Sequence, residues 1–318
     1  MSVIRVLLAS ALLTASSQAV LAAEKGNVVV SIKPIHSLVS AVMQGAGEPE
    51  LIVKGAASEH GYSLKPSDAG ALAKAKVIFW VGPEMETYLT KPLESLGAKA
   101  EIVRLDQVKG LEILSAREGG NFEAHDHGHG SHGDSHSHEG EAEAHDHHHD
   151  DMHIWLDPQN AKLMLEPIAA ALAKADPVHA EQYKKNATAY ADKIDALQKE
   201  ISTELEPVRT KPYIVFHDAY QYFERRFDLA SAGSITVNPE KAPGAARIRE
   251  IQTKVKSLGA TCVFSEPQFE SALVKTVLEG TQAKTGVLDP LGAELQDGPE
   301  LYPQLIRNLA TSLKICLQ

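Results

Sequence analysis

Imidazole is a good ligand for Zn²⁺, Cu²⁺ and Ni²⁺, and this chain carries fifteen histidines in two very different settings. Ten of them fall within residues 121–150, together with eight carboxylates and no lysine or arginine. Glycine and serine fill most of the rest, so the stretch cannot bury apolar surface and is expected to be a disordered loop. Closely spaced His and Asp on such a chain can wrap a metal in many ways. Ordering the loop costs entropy, so binding there is expected to be weak and to involve several ions. A solvated spacer is the plain alternative.

The other five histidines stand apart. His60 lies in Glu59-His60-Gly61-Tyr62, shortly after an apolar run. His153 lies in His153-Ile154-Trp155-Leu156-Asp157-Pro158, immediately beyond the acidic stretch. His217 ends the apolar run Tyr213-Ile214-Val215-Phe216. Taken singly, each is more often a structural residue than a ligand. Taken together, all three fall where a cleft would form, because ligands of open α/β sheets collect at the carboxyl ends of strands. His36, after Pro34-Ile35, reads as a structural residue at a helix start, and His179 as a solvated position on a helix.

The elements that must position these residues alternate along the chain. Short apolar runs at 28–30, 51–53, 77–81 and 102–105 read as strands, with helical patterns at 35–42 and 66–74 between them. A second set of strand candidates covers 213–216, 230–235, 262–264 and 286–288, separated by helical patterns at 219–226, 246–258 and 273–281. Alternating strand and helix predicts an α/β fold with mainly parallel sheets in two halves. Between the halves, Tyr183, Tyr190, Ile194, Leu197, Ile201 and Leu205 recur near the helical period, with no glycine or internal proline from Pro177 to Leu205. That pattern predicts one amphipathic helix roughly 40 Å long, N-capped by Asp176. A helix joining two lobes resists bending far more than a Gly/Ser loop, so lobe motion is expected to be small. The expected division is an N-terminal lobe over 24–160, a helical segment including the linking helix over 161–206, and a C-terminal lobe over 207–318.

The first residues carry a targeting pattern. Arg5 precedes the apolar stretch Val6–Leu13, and Val20 with Ala22-Ala23 fits a signal-peptidase site, so residues 1–23 are expected to be a signal peptide. No cysteine lies near that site, so a lipid anchor is not expected and the mature protein should be free in the periplasm. Export to an oxidising compartment favours a disulfide between the two cysteines, Cys262 and Cys316, over two inert buried thiols. It would close a loop of roughly 55 residues, worth about 4 kcal/mol in the chain-entropy model. A net charge of −11 makes nucleic acid and anionic membranes poor partners and cations plausible ones. Hydrophobic residues make up 43% of the chain, enough for a substantial core.

The motifs Ser31-Ile-Lys-Pro-Ile-His-Ser-Leu-Val39, Glu59-His60-Gly-Tyr-Ser-Leu-Lys-Pro-Ser-Asp68, Ala75–Gly82 with Glu84, His153–Pro158, Phe216–Tyr220, Ser265–Phe269 and Leu288–Gly292 span the mature chain. In them the chain resembles the zinc-specific solute-binding proteins of ABC importers, the ZnuA type, within the cluster that also holds manganese binders. The histidine-rich acidic insert is itself typical of the zinc branch. The resemblance implies two lobes, each a four-stranded sheet flanked by helices, bridged by one rigid helix. It implies an interlobe metal site with His60, His153 and His217 as ligands, and it pairs Cys262 with Cys316. In manganese relatives the position of His217 looks like a carboxylate, and a second carboxylate stands at a place like Asp289. Three neutral nitrogens suit Zn²⁺, whereas carboxylates suit the harder Mn²⁺. For a fourth ligand Glu59 ranks first, a water second and Asp289 third. Asp289 could instead hydrogen-bond a ligand histidine.

The resemblance further implies a non-enzymatic monomer that captures Zn²⁺ and delivers it to an ABC transporter membrane permease. Other periplasmic zinc chaperones are further candidate partners, and the 121–150 loop would hold additional, weaker Zn²⁺. Three alternatives stay open at this point: a periplasmic zinc buffer with no transporter, a manganese-specific binding protein, and a three-histidine zinc enzyme with Glu59 as general base. The chain has no HExxH motif to support the last.

Overall fold

The computed structural model describes residues 28–117, 122, 150–236, 239–240, 243–257, 259, 261–269 and 272–318. The expected signal peptide lies outside the described residues, and so does the 121–150 stretch except for Phe122 and Asp150.

The chain opens with β1 (Val28–Val30), three β-branched residues buried on both faces, which is the composition of a central parallel strand. It is followed by α1 (Lys33–Val42), β2 (Glu50–Leu51), α2 (Pro66–Lys74), β3 (Val77–Trp80), α3 (Thr87–Ser95) and β4 (Glu101–Arg104). These strands form one sheet in the order β2-β1-β3-β4, all parallel. Pro34 sits in the first turn of α1, where its missing N–H forfeits no helical bond. His36 is buried there, with Nε2 3.1 Å from the Pro49 carbonyl, the structural placement expected for it. The strand expected at 51–53 begins one residue earlier. Ile52 and Val53 still donate to the Val30 and Ser31 carbonyls beyond its end.

Two short strands, β5 (Leu114–Ser115) and β6 (Asp150–Asp151), pair antiparallel and close the base of the histidine-rich insert. Asp150, the last residue of the stretch expected to be disordered, is therefore in a strand. Next come α4 (Pro158–Ala175) and α5 (Ala180–Leu205), which pack on each other as a hairpin. The long helix starts three residues later than its periodicity predicts, because Pro177–His179 forms a 3₁₀ turn. Asp176 accepts hydrogen bonds from His179 Nδ1 (2.6 Å) and Tyr183 Oη (2.9 Å) at that turn. So His179, read as solvated, has a side-chain partner. At 26 residues α5 is about 39 Å long. Every residue of its predicted apolar stripe, from Tyr183 to Leu205, is buried.

The second half contains β7 (Tyr213–His217), α6 (Gln221–Phe227), β8 (Gly233–Thr236), α7 (Ala245–Ser257), β9 (Cys262–Ser265), α8 (Ala272–Leu278), β10 (Lys284–Val287) and α9 (Leu301–Leu317). Its sheet, β10-β9-β7-β8, is also wholly parallel. The architecture is thus α/β with two four-stranded parallel sheets flanked by helices and one long helix, as predicted. The last helix, α9, packs on α5 and α1 as well as β10, which ties the end of the chain to the first half. Cys262 on β9 and Cys316 on α9 form a disulfide.

Burial is unequal on the two faces of the second sheet. One large apolar core runs from the first sheet through α1, α4, α5 and α9 to Tyr213, Val215 and Phe264. A separate, small cluster made by Ile214, Phe216, Ile235, Ile251, Val255, Val263, Val274 and Val277 joins the opposite face to α7 and α8. Among the described residues, no helix is long and apolar enough to cross a membrane.

Candidate metal centre

His153 sits just past a strand, His217 is the last residue of one, and His60 lies in the long loop after β2; carboxylates hold the rings of His153 and His217. Glu59 and His60 lie in the loop between β2 and α2. Asp68 fixes the end of that loop by accepting from the Lys65 N–H (2.8 Å) and the Tyr62 hydroxyl (2.9 Å). The His60 N–H donates to Ser58 Oγ at 3.1 Å. Gly61 allows a close approach: a Cβ there would meet the Glu240 carboxylate at 2.8–3.0 Å.

His153 follows β6. Asp151 Oδ1 accepts from its backbone N–H (3.0 Å) and stands 2.7 Å from its Nδ1. The ring also lies against Trp155, whose indole N–H donates to the Pro290 carbonyl at 2.8 Å. His217 is the last residue of β7. Glu266, just past β9, holds it with Oε2 2.6 Å from Nδ1 and Oε1 3.3 Å from its N–H. The Tyr220 hydroxyl donates to the same carboxylate at 3.1 Å. In both rings a carboxylate accepting the Nδ1 proton leaves Nε2 with its lone pair directed inward.

These inward nitrogens converge. The ring centroids of His60, His153 and His217 are 5.3, 5.4 and 5.2 Å apart, nearly an equilateral triangle. His153 Nε2 and His217 Nε2 are 3.2 Å apart. Glu59 Oε1 lies 3.9 Å from Nε2 of both His60 and His153. One donor atom from each of the four residues falls within 4.8 Å of all the others. A tetrahedral Zn²⁺ with bonds of about 2.0–2.1 Å needs donors roughly 3.3 Å apart, so the group fits with a small contraction around Glu59. Both Glu59 oxygens and His60 Nε2 are buried without a hydrogen-bond partner, which is costly unless a cation satisfies them.

Electrostatics divides the four. Burial, reinforced by the neighbouring rings, holds His60 and His153 well below the ordinary imidazole range, so both are neutral and ready to ligate. Burial pulls His217 the same way, but the Glu266 carboxylate outweighs it and leaves His217 raised. Burial pushes Glu59 up to about 7, against the pull of His217. Asp151 is likewise pushed up to about 7 by burial.

Asp289, ranked third as a ligand, is engaged elsewhere. Its oxygens accept from Gln268 Nε2 (2.8 Å) and from the N–H groups of Leu291 (3.1 Å), Gly292 (2.9 Å) and Ala293 (2.6 Å). The carboxylates that hydrogen-bond the rings of His153 and His217 are Asp151 and Glu266. Sequence reasoning passed over both. Glu266 stood inside the quoted Ser265–Phe269 motif, whereas Asp151 was one acid directly after many.

The family profile described as "Zinc-uptake complex component A periplasmic" (ZnuA) matches residues 28–316. The high-affinity zinc uptake system protein ZnuA of Brucella abortus (strain 2308) is 65% identical over 324 residues, covering 98% of this chain and 97% of that protein. Its counterpart in Yersinia pestis is 37% identical, covering 98% and 96%. A crystal structure of ZnuA superposes with a TM-score of 0.75 at 22% identity, covering 93% of this chain and all of the other, a likeness of fold.

Proposed function

The chain belongs to the ZnuA family of zinc-uptake binding proteins, and on that premise we propose that it captures Zn²⁺ between its two lobes with His60, His153, His217 and Glu59 and delivers the ion to an ABC transporter permease. The family is one of transport binding proteins rather than enzymes, so the hydrolytic reading is set aside. The observation that carries the proposal is the convergence of three imidazoles and one carboxylate, drawn from β2, β6 and β7 connections, on one ion-sized point. Three nitrogens and one oxygen suit Zn²⁺ better than Mn²⁺. The protein acts as a monomer free in the periplasm, without a lipid anchor, after loss of residues 1–23. Residues 24–160 and 207–318 form the two lobes and 161–206 the helical joint between them. The 121–150 insert adds weaker Zn²⁺ sites that raise the local ion concentration, and other periplasmic zinc chaperones are candidate donors.

Competition titration of the full chain and of a chain lacking residues 121–150 tests this. Both should keep one tight site that prefers Zn²⁺ over Mn²⁺, and only the full chain should show additional weak binding. Loss of tight binding with the insert would make the protein a buffer, and a preference for Mn²⁺ would overturn the ligand assignment.

Acid should weaken capture in a defined window. His217 and Glu59 are the raised groups, so as pH falls through 7 they take up protons that the incoming ion must displace. His60 and His153 are lowered and add no competition near neutrality. Zinc affinity is expected to fall by about one to two decades per pH unit as pH drops from 7 to 5.5. Titrations in buffers of matched ionic strength read this slope, and a constant affinity across that range would contradict it.

A further inference from the structure

His60 and His153 open onto a cavity of about 490 Å³ whose lining is acidic. Among its described lining residues Arg117 is the single cation, against Glu84, Asp150, Asp151, Asp218 and Glu240. A guanidinium there opposes the field that draws a cation inward, so its contacts are informative. Arg117 Nε donates to Asp218 Oδ2 at 3.0 Å, Nη2 donates to Asp218 Oδ1, and Nη1 donates to Glu224 Oε2 at 2.7 Å. The Phe122 ring covers the guanidinium, 4.1 Å from Cζ. The Tyr213 hydroxyl occupies the other Glu224 oxygen at 3.1 Å.

Arg117 is itself held in place. It lies two residues beyond β5, and the Tyr222 hydroxyl on α6 grips both strands of the β5–β6 pair. That hydroxyl accepts from the Leu114 N–H at 2.9 Å and donates to the Asp151 carbonyl at 2.6 Å. Gln221 and Arg225 of the same helix reach Ser115 and Glu112.

Asp218 is the residue next to His217, and it faces the cavity that His60 and His153 face, yet it is not one of the four converging groups. Both its oxygens are spent on Arg117. We propose that Arg117 is a specificity-determining residue: by engaging both oxygens of Asp218 it keeps a hard carboxylate out of the ion's coordination sphere and so keeps the site selective for Zn²⁺ over Mn²⁺. Zn²⁺ is satisfied by four donors rich in nitrogen, whereas Mn²⁺ gains more from added oxygen ligands. The inference rests on the reading of His60, His153 and His217 as zinc ligands.

Arg117→Met alone would strand both Asp218 and Glu224, so the informative variant is Arg117→Met/Glu224→Gln, which frees Asp218 without leaving a buried Glu224 charge unpaired. Zn²⁺, Mn²⁺ and Co²⁺ are titrated separately into the full chain. The ratio of Zn²⁺ to Mn²⁺ association constants should fall about tenfold in this variant. The visible absorption of bound Co²⁺ should weaken as its coordination expands beyond four. Adding Asp218→Asn should restore both, because an amide cannot supply the hard anionic donor. Arg117→Lys keeps a cation and the fold, and should lie between wild type and the double variant.

Equal losses for Zn²⁺ and Mn²⁺ with an unchanged Co²⁺ spectrum would reduce Arg117 to structural support, as would a triple variant that stays altered. Failure of the ligand reading looks different: the wild-type chain itself would then lack a tight Zn²⁺ site.

Discussion

Replacing His217 by alanine is expected to lower zinc affinity about a thousandfold, beyond the 10–100-fold typical of losing an outer partner. The substitution removes the one ring contributed by the second sheet, and the remaining donors all come from the first half and the insert base. It also leaves the buried Glu266 carboxylate with Tyr220 as its hydroxyl partner and without the imidazole, a cost to stability rather than to affinity. His217→Asp should retain more affinity than alanine and move preference toward Mn²⁺, since it trades a nitrogen for a hard oxygen. Glu266→Gln keeps the ring but weakens its anchor, with an expected loss of about 10–100-fold. Chelator competition ranks the four proteins, and circular dichroism checks that each is folded. Wild-type affinity in the alanine variant would remove His217 from the ligand set.

The largest effect on stability is expected from the disulfide. Cys262 and Cys316 are 54 residues apart, and the loop they close contains α8, β10 and nearly all of α9. Cys262→Ala/Cys316→Ala should cost about 4 kcal/mol through the entropy returned to the unfolded chain. For a chain of this size that lowers the thermal midpoint by roughly 10 °C. The bond joins β9, which leads directly into Glu266, to the helix that packs on α5 and α1. Scanning calorimetry of the double variant, and of the wild type with and without reductant, measures the cost. Coincident unfolding of oxidised and reduced protein would show that packing of α9 alone holds the joint.

Features encoded by local pattern were legible in the sequence, and those created by distant pairing were not. The valine triplet of β1 and the apolar stripe of α5 announce themselves, because burial on two faces or on one helical face leaves a periodic trace. Strand ends marked by histidine gave the converging rings. By contrast β5 and β6 are two residues each and pair across the whole insert, so neither carries a periodicity of its own. Helices α3 and α4 contain internal prolines, Pro92 and Pro167, which ordinarily argue against a continuous helix. Glu266 and Arg117 act through partners that only the fold brings near, whereas Asp151 stands two residues from His153 and was hidden by the run of acids before it. Their residue types are common, so composition could not single them out.

The division of apolar packing across the second sheet gives the molecule two tiers of cohesion. The outer layer, α7 and α8 on their own small cluster, shares few side chains with the main core and can detach at a fraction of the cost of global unfolding. Strand β7 lies between the tiers: Ile214 and Phe216 belong to the outer one, Tyr213 and Val215 to the inner. A sub-global opening that sheds the outer helices therefore leaves the strand bearing His217 anchored from its other side. Amide protons of α7 and α8 would exchange through that opening while those of β1 and α5 wait for the whole chain to unravel.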